Sequence, residues 1–285
     1  MTITGVDQTP GVGRVTRAFE STLEAGRKAL CPFVCAGYPS PGVLARTLPM
    51  LESAGATMVE VGVPFSDPIA DGPVIAGAMH ESLEQGATPV GTLEEIERAR
   101  RAGCTIPVVL MASVSLITHS GASSFARRAR DAGVDGFILP DCPLEEAADI
   151  SAPMTDEGLC VSLLVSPTTP ASRAADIAGV CSGFVYVLTR TGITGDVARA
   201  GADPLETLAG RVDALRESTD LPLACGFGIS TADDVRRVVR DADADGAIVG
   251  TALVRAMGEA AHRGGDASDA AESLTRELAS GCARL

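Results

Sequence analysis

The sequence predicts an α/β protein that folds as a closed (β/α)8 barrel, and three observations predict this class. Eight short apolar runs alternate with longer segments whose apolar residues recur at the helical period. Most of the runs are apolar at nearly every position, as expected for a parallel sheet that is covered on both faces. The length of 285 residues is near the ~250 residues typical of such a barrel. An open, doubly wound sheet is the alternative for the same alternation.

The eight predicted β/α units follow one another without a linker or a low-complexity tract, so residues 1–285 are expected to form one domain. A helical segment follows each strand, and residues 13–27 and 268–280 indicate extra helices that flank the TIM barrel. Ala-Gly pairs before several strands are typical of helix ends, which places the functional loops at the opposite end of the barrel. The predicted strands are PFVCAG (32–37), MVEVGV (58–63), IPVVLMA (106–112), GFILPD (136–141), CVSLLVSP (160–167), GFVYVLT (183–189), LPLACGFGIS (221–230) and GAIVGTA (246–252).

Composition and charge argue against several classes of function. The formal net charge is −14 and hydrophobic residues make up 46% of the chain, which indicates a large core and no basic face for nucleic acid. No apolar run approaches the ~18 residues of a membrane-spanning helix. The eight cysteines contain no C-x-x-C pair, and no secretory signal is recognised, so we expect buried, reduced thiols in a cytoplasmic protein.

The second strand contains an acidic residue, Glu60, within its apolar run. A buried carboxylate is unstable unless it is paired or neutral. Glu60 therefore predicts either an ion pair with an arginine or an acid–base group with a raised pKa. Asp67 and Asp71 follow in the next loop. Asp67 can be explained as a turn residue before Pro68, and Asp71 as the N-cap of the next helix.

Glycine-rich turns follow the last three strands, and they indicate a phosphate-bearing ligand. Such turns lead into helix N-termini, whose free N–H groups bind anions. The loops after strands seven and eight are the usual phosphate site of this architecture. Tight turns are the alternative explanation for the glycines. The segments are TRTGITG (189–195), GFGIS (226–230) and GTA (250–252).

The positions of lysine and histidine restrict the mechanism. The only lysine, Lys28, precedes the first strand, which argues against a Schiff base on a barrel strand. The three histidines are scattered, so neither a metal centre nor a Ser-His-Asp triad is expected. Acid–base chemistry by carboxyl groups remains, on a phosphorylated substrate that supplies its own electron sink. No metal and no cofactor are expected.

Several motifs together resemble the tryptophan synthase α subunit family. The resemblance implies a barrel that cleaves indole-3-glycerol phosphate to indole and glyceraldehyde 3-phosphate in tryptophan biosynthesis. It implies that Glu60 exchanges a proton with C3 of the indole ring and that Asp71 accepts a hydrogen bond from the indole N–H. The segment EVGVPFSDPIADGP (60–73) carries most of the resemblance, together with PFVCAGYP (32–39), GVDGFILPDCPLEEA (133–147), YVLTRTGITG (186–195) and GFGIS (226–230).

The resemblance also implies which residues hold the substrate. Two mobile lids would cover it, at residues 64–73 and 189–202. The indole would be enclosed by Phe33, Leu110, Ile138, Tyr186 and Phe227, and the phosphate held by Thr194, Gly195, Gly228, Gly250 and Thr251.

The implied partner is a tryptophan synthase β subunit in an α2β2 assembly. Segment 112–121 departs from the family, because it lacks the Tyr and Asn that the family usually carries there, and Ala76 replaces the usual Gln. A lyase that works alone and releases indole for specialised metabolism is therefore an alternative. A non-catalytic, partner-binding barrel and another phosphate-binding barrel, such as a sugar-phosphate isomerase, are further alternatives. Neither of these two explains the acidic residues Glu60 and Asp71.

Overall fold

The structure is a computed structural model that describes residues 11–68, 71–189, 204–226 and 228–283. Within these residues, nine parallel strand segments form one sheet in the order β5-β4-β3-β2-β1-β9-β8-β7-β6. The strands are β1 (Ala29–Cys35), β2 (Val59–Gly62), β3 (Val108–Met111), β4 (Gly136–Ile138), β5 (Cys160–Ser162), β6 (Leu164–Val165), β7 (Val185–Leu188), β8 (Leu223–Gly226) and β9 (Gly246–Val249).

The sheet closes into a barrel through the fifth apolar run. Its first half, β5, pairs with β4, and its second half, β6, pairs with β7. The prediction of eight strands is corrected only here, because this run is divided at Leu163. The backbone N–H of Leu163 donates to the Cys181 sulfur at 3.3 Å instead of to a neighbouring strand. The predicted (β/α)8 barrel is confirmed.

Helices alternate with the strands and cover the barrel. The flanking helices predicted at 13–27 and 268–280 are confirmed as α1 and α12. A π-helical turn, Arg237–Asp241, extends α10, and short 3-10 turns cover Leu144–Glu146 and Ser280–Cys282. The helices are α1 (Val12–Glu24), α2 (Val43–Ser53), α3 (Pro73–Glu84), α4 (Pro89–Arg101), α5 (Val114–His119), α6 (Ala122–Asp131), α7 (Ala147–Asp156), α8 (Ala171–Val180), α9 (Pro204–Arg216), α10 (Ala232–Arg236), α11 (Thr251–His262) and α12 (Ala267–Ala279).

Alternation along the strands separates two apolar clusters. The outer cluster fills the space between strands and helices and includes Val61 and Leu110. The inner cluster lies inside the barrel and includes Phe33 and Val109. Glu60 lies between these two inner residues in the sheet register. Because successive side chains of a strand point to opposite faces, Glu60 points into the barrel.

The amino-terminal end of the barrel is built for stability. The buried carboxylate of Asp135 accepts hydrogen bonds from the backbone N–H groups of Gly11 and Val108, and it pairs with Arg14 and Arg100. The glycines of the Ala-Gly pairs have left-handed φ values of 97°, 94° and 89° at positions 55, 103 and 133. These values confirm the predicted helix ends and leave the opposite end of the barrel for the ligand.

Candidate active site

A cavity of about 540 Å³ opens at the carboxyl end of the barrel. Met111 and Leu188 line it from the last positions of β3 and β7, and Gly228 and Gly250 from the turns after β8 and β9. The walls are mostly apolar, and Asp71 is the one carboxyl side chain among the described lining residues. The full lining is Phe33, Asp71, Ile75, Met111, Pro140, Leu164, Tyr186, Leu188, Gly228, Ile229, Ile248, Gly250 and Thr251.

Two glycines at strand ends make room for the aromatic walls of the cavity. A Cβ atom at Gly62 would lie 2.5 Å from the ring of Phe33, and one at Gly226 would lie 2.6 Å from the hydroxyl of Tyr186. Both distances are far below van der Waals contact, so any side chain at these positions would displace the ring. This role cannot be predicted from the sequence alone, because the glycines are distant along the chain from the rings that they accommodate.

Glu60 is completely buried, and its environment favours the protonated form. Among the described residues, neither carboxyl oxygen has a hydrogen-bond partner. Burial raises the pKa of Glu60 well above its usual value, and the nearby charge of Asp71 raises it further. No arginine of the described residues pairs with Glu60, so the explanation of Glu60 as half of an ion pair is wrong for the described part of the chain. A neutral carboxyl in an apolar barrel can deliver a proton to a ligand.

Asp71 lies half-buried on the wall of the cavity. Burial raises the pKa of Asp71 from 3.8 to about 6, so Asp71 is mostly ionised at neutral pH, whereas the deeper burial of Glu60 favours its protonated form. The explanation of Asp71 as a helix cap is wrong, because the N-cap of α3 is Gly72 and no side chain of the described residues caps this helix. Two neighbouring carboxyl groups with different protonation states can serve as an acid and as an electrostatic stabiliser.

The candidate anion site of the cavity lies at the start of α11. Its N-cap is Gly250, which lines the cavity, and no side chain of the described residues caps the helix, so its first N–H groups have no side-chain partner there. Gly228, which lines the same cavity, adopts a left-handed φ of 75°, as a tight turn requires. Thr251 is the first residue of α11 and also lines the cavity.

The structure brings together most of the predicted site residues that it describes. Phe33, Tyr186, Gly228, Gly250 and Thr251 line the cavity with Asp71. Ile138 is buried in the inner cluster without reaching the cavity wall. The predicted residues Thr194, Gly195 and Phe227 lie outside the described residues, as do positions 69–70 and 190–202 of the two predicted lids.

Leu110 is the correction among the predicted pocket residues. It points outward and packs in the cluster beneath the helices, and Met111 lines the cavity instead. The cause is the two-residue period of a strand, which places Val109 and Met111 on the inner face. Counting by two from Val109, the register partner of Glu60, would have found Met111. The other lining residues that sequence analysis missed are Ile75, Pro140, Leu164, Leu188, Ile229 and Ile248.

Features outside the cavity add little chemistry. All eight cysteines are free, and six are buried. The described ranges contain no group of three or more His, Cys, Asp or Glu side chains that could hold a metal ion. Across the same ranges, every helix is too short or too polar to cross a membrane.

Fold and site together define a class of protein. A parallel barrel with one carboxyl group on the wall of an apolar cavity, a second one buried nearby in the barrel interior, and an uncapped helix N-terminus is the arrangement of an acid–base enzyme for an apolar, anionic substrate. The sequence matches the family model for the tryptophan synthase alpha chain over residues 19–283. The chain belongs to this family, whose reaction is a carbon–carbon lyase reaction.

Individual relatives agree with the family model. The tryptophan synthase alpha chain of Synechococcus sp. is 45% identical over 243 residues, which cover 85% of this chain and 88% of the relative. That of Chromobacterium violaceum is 42% identical over 255 residues, or 90% and 93% of the two chains. A tryptophan synthase structure from Mycobacterium tuberculosis superposes with a TM-score of 0.84 at 32% identity, covering 95% of this chain and 98% of that chain.

Proposed function

We propose that Glu60 and Asp71 carry out, in this chain, the reaction of its family: retro-aldol cleavage of indole-3-glycerol phosphate to indole and glyceraldehyde 3-phosphate. One observation carries the proposal, namely a fully buried carboxyl group at Glu60 with no hydrogen-bond partner among the described residues. An unpaired buried polar group is destabilising. Its retention inside an apolar barrel is explained by a proton that it exchanges with the substrate.

The proton moves in a closed cycle. The neutral carboxyl of Glu60 donates its proton to C3 of the indole, and the ring becomes a cationic indolenine. The carboxylate of Asp71 accepts a hydrogen bond from the indole N–H and stabilises the positive charge there. Glu60, now ionised, takes the proton of the glyceryl hydroxyl next to C3. The C–C bond breaks, its electron pair restores the aromatic indole, and the hydroxyl carbon becomes the aldehyde.

The remaining described residues bind and orient the substrate. The rings of Phe33 and Tyr186 and the side chain of Met111 supply apolar surface for the indole. The turn at Gly228 and the first turn of α11 at Gly250 and Thr251 supply N–H groups for the phosphate. The roles of Thr194, Gly195, Phe227 and Ile138 stay predictions.

The family also defines a partner, since its alpha chains work in complex with a β subunit. Neither the free-standing lyase nor the non-catalytic barrel is favoured by the relatives, which carry the name of the alpha chain. In this chain the divergent segment 112–121 contains α5. Asp141 anchors the start of this helix by accepting from the Ser113 hydroxyl at 2.7 Å and the Val114 N–H at 2.9 Å. We place the working complex in the cytoplasm.

The test of the catalytic proposal is the Glu60→Gln variant. Gln keeps the shape of the side chain and removes the transferable proton, so indole release should fall about 10²–10⁴-fold, the range typical of acid–base catalysis. Glu95→Gln is the matched control. Glu95 is also buried, but it binds backbone N–H groups at the start of α2. We expect this control to lower stability and keep turnover. Activity of Glu60→Gln within twofold of wild type would contradict the role of Glu60.

A further inference from the structure

Arg211 makes an unusual set of contacts beside the cavity. It lies on α9, and its guanidinium reaches the end of β7, where it donates to the Leu188 carbonyl oxygen at 2.6 Å and to the Thr189 carbonyl oxygen at 3.3 Å. Its Nε also donates to the Thr207 carbonyl oxygen within its own helix, at 3.3 Å. All three partners are neutral backbone groups.

The Arg211 guanidinium is half-buried and lacks the carboxylate partner that a cation in such a place usually has. Among the described residues no carboxylate lies within 4.0 Å of it, and burial lowers the pKa of Arg211. Arg216, the last residue of α9, differs because it forms an ion pair with Asp245. Desolvating an arginine without a counter-ion is unfavourable, so its carbonyl contacts must offset that penalty.

The sheet register shows that the contacts of Arg211 lie where the pairing between β6 and β7 has ended. The last pair between β6 and β7 joins Val165 to Val187, so β6 ends one residue before Leu188. On the other side β8 still pairs with β7, because the Thr189 N–H donates to the Gly226 carbonyl oxygen at 2.9 Å. Arg211 therefore binds the end of β7 where one neighbouring strand is absent.

We infer that Arg211 is a positioning residue for substrate binding, and this inference rests on the proposed function. Leu188 lines the cavity, as does Tyr186 two residues earlier on the same face of β7. By holding the carbonyls of Leu188 and Thr189, Arg211 keeps this apolar wall in the place where it meets the indole. Loss of the guanidinium frees the strand end and weakens substrate binding more than it slows the bond-breaking step.

The test compares the same substitution at two positions of one helix. Arg211→Met should raise KM for indole-3-glycerol phosphate about fivefold, equivalent to roughly 1 kcal/mol of binding free energy, with kcat within twofold of wild type. Arg211→Lys, which keeps the charge, should give an intermediate KM. Guanidinium chloride at millimolar concentration should partly restore the KM of Arg211→Ala, and sodium chloride at equal concentration should not.

Arg216→Met is the control, because it removes an arginine of α9 whose contact is an ion pair away from the cavity. It should lower the melting temperature and leave KM unchanged. An unchanged KM in Arg211→Met, or an equal rise in Arg216→Met, would overturn the inference.

The wild-type enzyme is assayed in parallel. If it releases no indole, the proposed function is contradicted, and the inference on Arg211 is not what has failed. Backbone hydrogen exchange in residues 185–189 then decides the role of Arg211 without turnover. Faster exchange in Arg211→Met supports the inference, and unchanged exchange overturns it.

Discussion

Replacing Asp71 by asparagine should stabilise the protein at neutral pH while it impairs cleavage. Burial raises the pKa of Asp71 from 3.8 to about 6, so the folded protein binds this proton more tightly than the unfolded chain does. The stability that results is fully present below pH 3.8 and is lost as the pH rises through about 6. At pH 7.5 the wild-type protein therefore holds an ionised side chain that its fold disfavours, and the neutral Asn avoids this.

The shift sets the size of the effect on the free energy of unfolding. The rise in the pKa of Asp71 from 3.8 to about 6 corresponds to a loss of roughly 3 kcal/mol in the free energy of unfolding between low pH, where Asp71 is protonated, and high pH, where it is ionised. Asp71 is only half-buried, and screening by solvent reduces the figure to about 1–2 kcal/mol. The variant should gain this amount at pH 7.5. Because Asn cannot carry the negative charge that stabilises the indolenine, kcat should fall by about 10²-fold or more.

Urea unfolding of wild type and variant from pH 7.5 to pH 4.5 measures the effect. The advantage of Asp71→Asn should shrink steadily as the pH is lowered. Asp67→Asn is the control, because Asp67 is exposed on the same loop and its replacement should change stability by less than about 0.5 kcal/mol. A variant that is no more stable than wild type at pH 7.5, or whose advantage does not depend on pH, would refute the reasoning.

Three further predictions concern the pocket, the helical layer and the partner. Gly62→Ala places a methyl group 2.5 Å from the Phe33 ring, and KM should rise about fivefold or more, since overpacking typically costs about 1–3 kcal/mol; an unchanged KM would contradict this. The buried Thr275 hydroxyl has no partner among the described residues, so Thr275→Val should raise the free energy of unfolding by about 1 kcal/mol, measured by urea unfolding; a loss of stability would contradict it. Titrating a β subunit against indole release should show weaker docking than is usual for the family, because segment 112–121 lacks its Asn; saturation at sub-micromolar β subunit would contradict this.

Much of the fold could be predicted from the sequence because the information is local. The alternation of short apolar runs with helical segments indicated the barrel and the helices α1 and α12. The φ values of the glycines in the Ala-Gly pairs agree with the predicted helix ends. Glu60 could be singled out for the same reason, because it is a carboxyl group in an apolar run. Asp71 could be singled out because it belongs to the motif that begins at Glu60. Each of these signals lies within a few residues of the feature that it predicts.

Only the tertiary structure decided the features that depend on distant residues. The inner face of β3 depends on its register with β2, which placed Met111 in the cavity and Leu110 beneath the helices. Glu60 has no hydrogen-bond partner among the described residues. The sequence could not show this, because any of several strands around the barrel could have supplied a partner. The contact of Arg211 with Leu188 joins residues 23 positions apart. A local sequence pattern shows whether a segment is a helix or a strand, because each has its own period. Which residues meet across the barrel depends on how all eight units close around one interior.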